Sequence, residues 1–141
     1  MTMTLRFEIF PDDLGPTADF YTGVLGFRLV RDERDAETAY LALERDQVRI
    51  GAAARPVTAD RSRRRPPTGV ELVLEVDDVQ AELDRVQRSG WPLEEALVLR
   101  PWGLRDFRIL DPSGYYLRIT ERSPLAFSPA YPVIGPSGRR W

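Results

Sequence analysis

The chain is predicted to fold as an α+β domain made of two βαβββ modules whose strands form a curved mixed sheet. Three observations carry this. The sequence repeats itself at half its length: residues 5–10, then Asp12-Asp13-Leu14 and a helical stretch ending at Gly26-Phe27, are matched by residues 70–76, Asp77-Asp78-Val79 and a helical stretch ending at Gly90-Trp91. Asp13 and Asp78 stand 65 positions apart, as do Arg6 and Glu71, and such a period marks a duplicated supersecondary unit. The apolar period also switches in each half from two to roughly 3.6 and back. Finally, 141 residues with 43% hydrophobic and 30% charged side chains suit one compact domain with its own core.

Each module opens with a strand. Residues 5–10 and 70–76 are rich in branched and aromatic side chains, with charges at alternate positions (Arg6, Glu8; Glu71, Glu75). An aspartate then caps a helix. Leu14, Ala18, Tyr21 and Leu25 recur at helical spacing in the first, with Pro16 in its opening turn; Val79, Leu83 and Val86 recur in the second. Gly26 and Gly90 are predicted to supply the left-handed stops. Three strands follow each helix, near residues 28–32, 38–44 and 47–52, and near 97–99, 106–110 and 115–120. Arg45-Asp46 and Asp111-Pro112-Ser113-Gly114 form the turns before the last strands.

The predicted organisation is one domain over residues 1–122, with module one at 5–52, a linker at 53–69 and module two at 70–121. The linker carries Pro56, Pro66 and Pro67, and five arginines against one aspartate between Arg55 and Arg65. A solvated basic linker and a phosphate or nucleic-acid contact both fit that charge. The arm at 123–141 holds Pro124, Pro129, Pro132 and Pro136 with Phe127, Tyr131 and Trp141. It is too proline-rich for a helix, and packing on the body, packing on a second subunit and disorder all remain open.

Composition excludes several chemistries. Without cysteine there are no disulfides, thiolate nucleophiles or cysteine metal sites. Without histidine the commonest metal ligand and the commonest general base are missing. All 20 basic residues are arginine, so lysine Schiff bases are excluded too. The net charge of −2 argues against general nucleic-acid binding. No apolar run approaches the roughly 20 residues of a membrane span. The opening Met1-Thr2-Met3-Thr4-Leu5 lacks a basic-then-apolar signal, so a cytoplasmic protein is expected.

Asp13-Leu14 with Phe20-Tyr21 and Leu25-Gly26-Phe27 resembles the signature of the vicinal oxygen chelate superfamily, which holds glyoxalases, extradiol dioxygenases and bleomycin-resistance proteins. Val76-Asp77-Asp78-Val79 and Asp111-Pro112-Ser113-Gly114 resemble its second-half markers, so the resemblance covers about residues 5–121. Pro101-Trp102-Gly103 followed by Arg105-Asp106-Phe107 is most similar to the bleomycin-resistance branch, where such a segment borders a drug-binding groove. The resemblance implies the glyoxalase/bleomycin resistance/dihydroxybiphenyl dioxygenase fold and a homodimer.

In members that do metal chemistry, the resemblance places ligands on the first and last strands of each module. Here those positions read Arg6, Arg49, Glu71 and Arg118. A guanidinium stays protonated and has no lone pair to give. At about 5 Å from a divalent ion it repels by roughly 6–7 kcal/mol at an effective dielectric of about 20. Two of them offset the roughly 10–16 kcal/mol of a good zinc site. No metal and no other cofactor is expected.

Residues two apart on a strand share a face. The expected ligand-binding set is therefore Arg6, Glu8, Arg49, Glu71, Tyr116 and Arg118, with Trp102 and Phe107 nearby. The same charges also suit ion pairs closing the hollow. Glu94 and Glu95 form either an acidic rim for a cationic drug or a solvated edge. The expected function is metal-independent binding of a small molecule, such as an antibiotic or natural product, with no nucleic-acid or membrane partner. The alternative is a metal-independent isomerase, epimerase or cyclase, with Glu8 or Glu71 as base. A third possibility is a regulatory or structural partner acting through residues 61–65 or the aromatic arm.

Overall fold

Apolar and polar side chains alternate along the strands, so each sheet has one face to bury and one to leave open. A computed structural model describes residues 2–55 and 60–122. The arm at 123–141 lies outside them. Module one contains β1 (Arg6–Ile9), α1 (Leu14–Gly23), β2 (Arg28–Glu33), β3 (Tyr40–Arg45) and β4 (Val48–Ala53). Module two contains β5 (Leu72–Val76), α2 (Val79–Ser89), β6 (Glu95–Leu99), β7 (Arg105–Leu110) and β8 (Tyr116–Glu121). The strands form two four-stranded sheets, ordered β1-β4-β3-β2 and β5-β8-β7-β6. In each, the first and last strands of the module pair in parallel and the remaining pairs are antiparallel.

The caps are those read from the sequence. Asp13 accepts from the Gly15 N–H and Asp78 from the Ala81 N–H, each at 3.0 Å. Gly90 closes α2 in the left-handed region at φ 79°. The first helix differs. It ends at Gly23 with Val24 as a right-handed cap, because the N–H groups of both Val24 and Leu25 bond the Phe20 carbonyl. Gly26 makes the left-handed turn two residues beyond that cap, at φ 71°. The left-handed conformation calls for glycine, while a Cβ there would meet only the movable end of the Arg85 side chain, at 2.8 Å.

The apolar faces of both sheets contribute to one core. Ile9, Leu41, Leu43 and Ile50 of sheet one join Phe107, Ile109, Leu117 and Ile119 of sheet two and the buried sides of both helices. The modules interlock on this side. Phe20 packs on Trp91 at 4.7 Å between ring centroids, and the Phe10 N–H donates to the Tyr115 hydroxyl at 2.9 Å. Arg45 of β3 forms a two-pronged ion pair with Glu82 of α2. The linker arginines dock on the same body: Arg61 pairs with Asp12 at 2.7 Å, Arg65 with Glu94 at 3.1 Å, and Arg64 donates to the Ser113 carbonyl beneath the Tyr115 ring. Among the described residues, no helix is long and apolar enough to cross a membrane.

Tyr21, fully buried, donates to Asp111 at 2.8 Å, while the other Asp111 oxygen accepts the Ser113 and Tyr115 N–H groups. Burial nevertheless lifts the Asp111 carboxyl above its ordinary value, outweighing those hydrogen bonds. Where its folded pKa exceeds the unfolded one, the native state holds more protons. Its contribution is thus complete below the unfolded pKa of about 3.9 and is lost as pH rises through the folded value. The stability of the wild type relative to Asp111→Asn should accordingly fall as pH rises through the carboxylate range, measured by urea midpoints at several pH values.

Candidate functional site

The open faces carry most of the chemistry expected from the sequence. On sheet one Arg6 stands opposite Arg49 in the parallel β1–β4 register, and Glu8 opposite Gly51. The Arg6 Nε lies 3.1 Å from Glu8 Oε1. The Tyr40 hydroxyl donates to both Glu8 oxygens, at 2.9 and 3.2 Å. Gly51 makes this possible, since a Cβ there would fall 1.9 Å from Glu8 Oε2 and 2.1 Å from the Tyr40 hydroxyl. The carboxylate is laid across a strand with no side chain beneath it. Burial, then the hydrogen bond to Glu8, raises the Tyr40 pKa. Arg49 donates to the Thr4 hydroxyl at 2.6 Å.

On sheet two Arg118 Nε lies 2.8 Å from Glu71 Oε1. Neither atom satisfies hydrogen-bond geometry, so this close contact is an ion pair without an aligned hydrogen bond. Arg108 faces Arg118 across β7–β8, donates to the Tyr116 hydroxyl at 3.2 Å and approaches Glu95 at 3.0 Å. Burial raises the Tyr116 pKa, against the pull of Arg108.

Two expectations change with this geometry. Phe107 pairs with Ile119 on the helix-facing side and is fully buried, so it belongs to the core and not to the open face. The alternation of Arg105-Asp106-Phe107-Arg108 puts Asp106 and Arg108 on the open face in its place. The residues also fall into two groups. Arg6, Glu8 and Arg49 sit on sheet one; Glu71, Tyr116 and Arg118 on sheet two. Among the described residues no hydrogen bond or ion pair joins the groups, because the sheets share a core through their opposite sides. Trp102 is half-buried in the β6–β7 turn. Tyr40 and Gly51 were not singled out from the sequence, although both follow from alternation along β3 and β4 once the register is known. A cleft of about 790 Å³ opens elsewhere, between the β3–β4 turn and β5, over Phe27, Val48 and Leu74 beside the Arg45–Glu82 pair.

The donor set does not fit the metal that the resemblance implies for catalytic members. Three of its four positions are guanidinium groups, and the one carboxylate, Glu71, is held by Arg118. Among the described residues no three carboxylates cluster to hold an ion.

Paired βαβββ modules with chemistry on the first and last strands define the vicinal oxygen chelate class of protein. The chain belongs to the glyoxalase/bleomycin resistance protein/dioxygenase superfamily, whose family model matches residues 4–119. Solved structures similar to it include the bleomycin resistance determinant encoded on transposon Tn5, at 24% identity and a TM-score of 0.69, covering 86% of this chain and 99% of that one. TioX from Micromonospora sp. ML1 matches at 21% and 0.69, covering 86% and 100%. TnmS3, an antibiotic binding protein from Streptomyces sp. CB03234, matches at 22% and 0.63, covering 87% and 98%. At these identities the likeness is one of fold. No curated protein sequence matches the chain significantly.

Proposed function

We propose that this protein is a metal-independent, cytoplasmic small-molecule binder that sequesters an antibiotic or other natural product as a homodimer. The observation that carries this is the arginine set at Arg6, Arg49 and Arg118, which repels divalent ions yet offers forked donors to organic acids. The ligand site comprises Arg6, Glu8 and Arg49 of one sheet and Glu71, Tyr116 and Arg118 of the other, with Trp102 at its edge. Since the two groups lie on separate open faces, sheet one of one protomer and sheet two of its partner together enclose the ligand. Their charges favour that pairing. Among the described residues of these faces, Arg49 has no carboxylate partner and Glu75 has no cation, and Val73 and Val98 add exposed apolar surface. The antibiotic-binding description of TnmS3 and the resistance role of the Tn5 determinant support the same reading.

Calorimetric titration with glycopeptide-type antibiotics and aromatic natural products should give saturable heats, with a dimer in sedimentation. Freshly purified protein should carry no stoichiometric zinc, iron or manganese. A silent panel, or tightly held metal at Glu71, overturns the reading. A second reading, a metal-independent isomerase, epimerase or cyclase, takes as base the Glu8 carboxylate that Tyr40 and Arg6 hold in place on the open face, or Glu71. Under it, Glu8→Gln or Glu71→Gln loses turnover while keeping ligand affinity.

A further inference from the structure

On sheet two, Tyr116 of the ligand site assigned above joins a connected set with four further polar side chains, Glu95, Arg100, Asp106 and Arg108. Asp106 of β7 is completely buried although it stands on the open face. Its Oδ1 receives Arg100 Nε at 3.0 Å and Arg108 Nε at 3.4 Å, and its Oδ2 has no hydrogen-bond partner. Above it, both arginines reach a second carboxylate. Arg100 Nη2 and Arg108 Nε lie 3.1 and 3.0 Å from Glu95 Oε2, and the Tyr116 hydroxyl donates to that oxygen at 3.3 Å.

The two carboxylates are not equivalent. Asp106 is sealed beneath the guanidinium groups and fixes their orientation. Glu95 is 44% exposed and sits on β6, the outer strand of the sheet. The β6–β7 register slips between Glu95 and Val98, and such a bulge re-aims a side chain on a strand held from one side only. Glu95 is thus the one member of the set able to leave without unpacking the core.

We infer that Arg100 and Arg108, aligned by buried Asp106, form a carboxylate subsite in which Glu95 is a placeholder that a ligand carboxylate displaces. The chemistry follows from the occupant, since donors already arranged around one carboxylate oxygen accept another without rebuilding. With Glu95 swung out, the guanidinium groups of Arg100 and Arg108 that met its carboxylate are left facing the place a ligand carboxylate would take. Trp102 lies on the turn that carries Arg100, closed by the Gly103 N–H to Arg100 carbonyl bond. This deepens the binding reading above and rests on it: the subsite anchors the acidic end of the ligand, and Glu95 lowers affinity for molecules too weakly acidic or too small to displace it.

The test titrates the full-length chain with benzoate, and with benzamide as its uncharged counterpart, in wild type and Glu95→Ala. Vacating the placeholder should tighten benzoate by at least about tenfold, the worth of one charge-assisted hydrogen bond, and leave benzamide unchanged. Benzoate should also shift the Nε–Hε resonances of Arg100 and Arg108 in the variant. Equal benzoate affinity in both proteins, an equal gain for benzamide, or unmoved arginine resonances overturns the subsite. The natural-product panel fails or succeeds separately. Panel binding without a benzoate gain removes only the subsite, and a benzoate gain with a silent panel removes only the sequestration reading.

Discussion

Glu82→Ala is expected to lower the unfolding free energy by about 3 kcal/mol. Glu82 lies on α2 in module two and is buried. Both its oxygens are taken by Arg45, at the end of β3 in module one, and Arg45 Nη1 also donates to the Leu25 carbonyl at 2.8 Å. Removing the carboxylate leaves a guanidinium that is about three-quarters buried with the exposed Asp46 carboxylate 3.9 Å away, and stripping a buried charge of its close partner costs about 3–5 kcal/mol. The exposed quarter of Arg45 lets it turn partly to water, which places the loss at the low end of that range. Urea unfolding should show the shift in midpoint without a change in slope. A loss below about 0.5 kcal/mol, the level of an ordinary surface substitution, would mean that the Arg45–Glu82 pair does not help to hold the modules together. The paired exchange Arg45→Met with Glu82→Leu should recover most of the stability, because well-packed apolar pairs replace buried ion pairs at little cost.

Gly51→Ala is expected to leave the fold nearly unchanged and to dismantle the sheet-one half of the site. The backbone at Gly51 is ordinary strand, so alanine fits its conformation. The added methyl would instead occupy the place of the Glu8 carboxylate and the Tyr40 hydroxyl. Both are ends of side chains free to move outward, so the stability change should stay within about 1 kcal/mol. Ligand affinity should fall by roughly ten- to a hundredfold, the worth of one charged hydrogen bond. An independent readout does not need the ligand. Burial and then the Glu8 hydrogen bond hold the Tyr40 pKa above its ordinary value, so Gly51→Ala should move that ionisation downward in a spectrophotometric titration. Unchanged Tyr40 titration together with unchanged ligand affinity would show that Glu8 and Tyr40 are bystanders.

The two predictions differ in how far the sequence anticipates them. Glu8 was marked by alternation along β1, but its partnership with Tyr40 depends on β3 and β4 lying side by side in one register. The Arg45–Glu82 pair joins residues 37 positions apart in different modules, which no local pattern signals. The position of Phe107 just after the Pro101-Trp102-Gly103 segment suggests a pocket aromatic. Its parity along β7 assigns it to the core once Ile119 is known to face it. The Glu95 bulge was hidden for a related reason: a slipped residue on an outer strand changes the side that later residues face without altering composition.

What the residues alone determined was the duplicated βαβββ order, the aspartate caps and the arginines at the first- and last-strand positions. These follow from period, chain chemistry and spacing, all of which are local. Tertiary structure alone decided that the modules bury their apolar faces in one core and turn their charged faces to opposite sides. The reason is that each sheet has one apolar face to hide, and a partner for that face is chosen by long-range packing that no short stretch of sequence records.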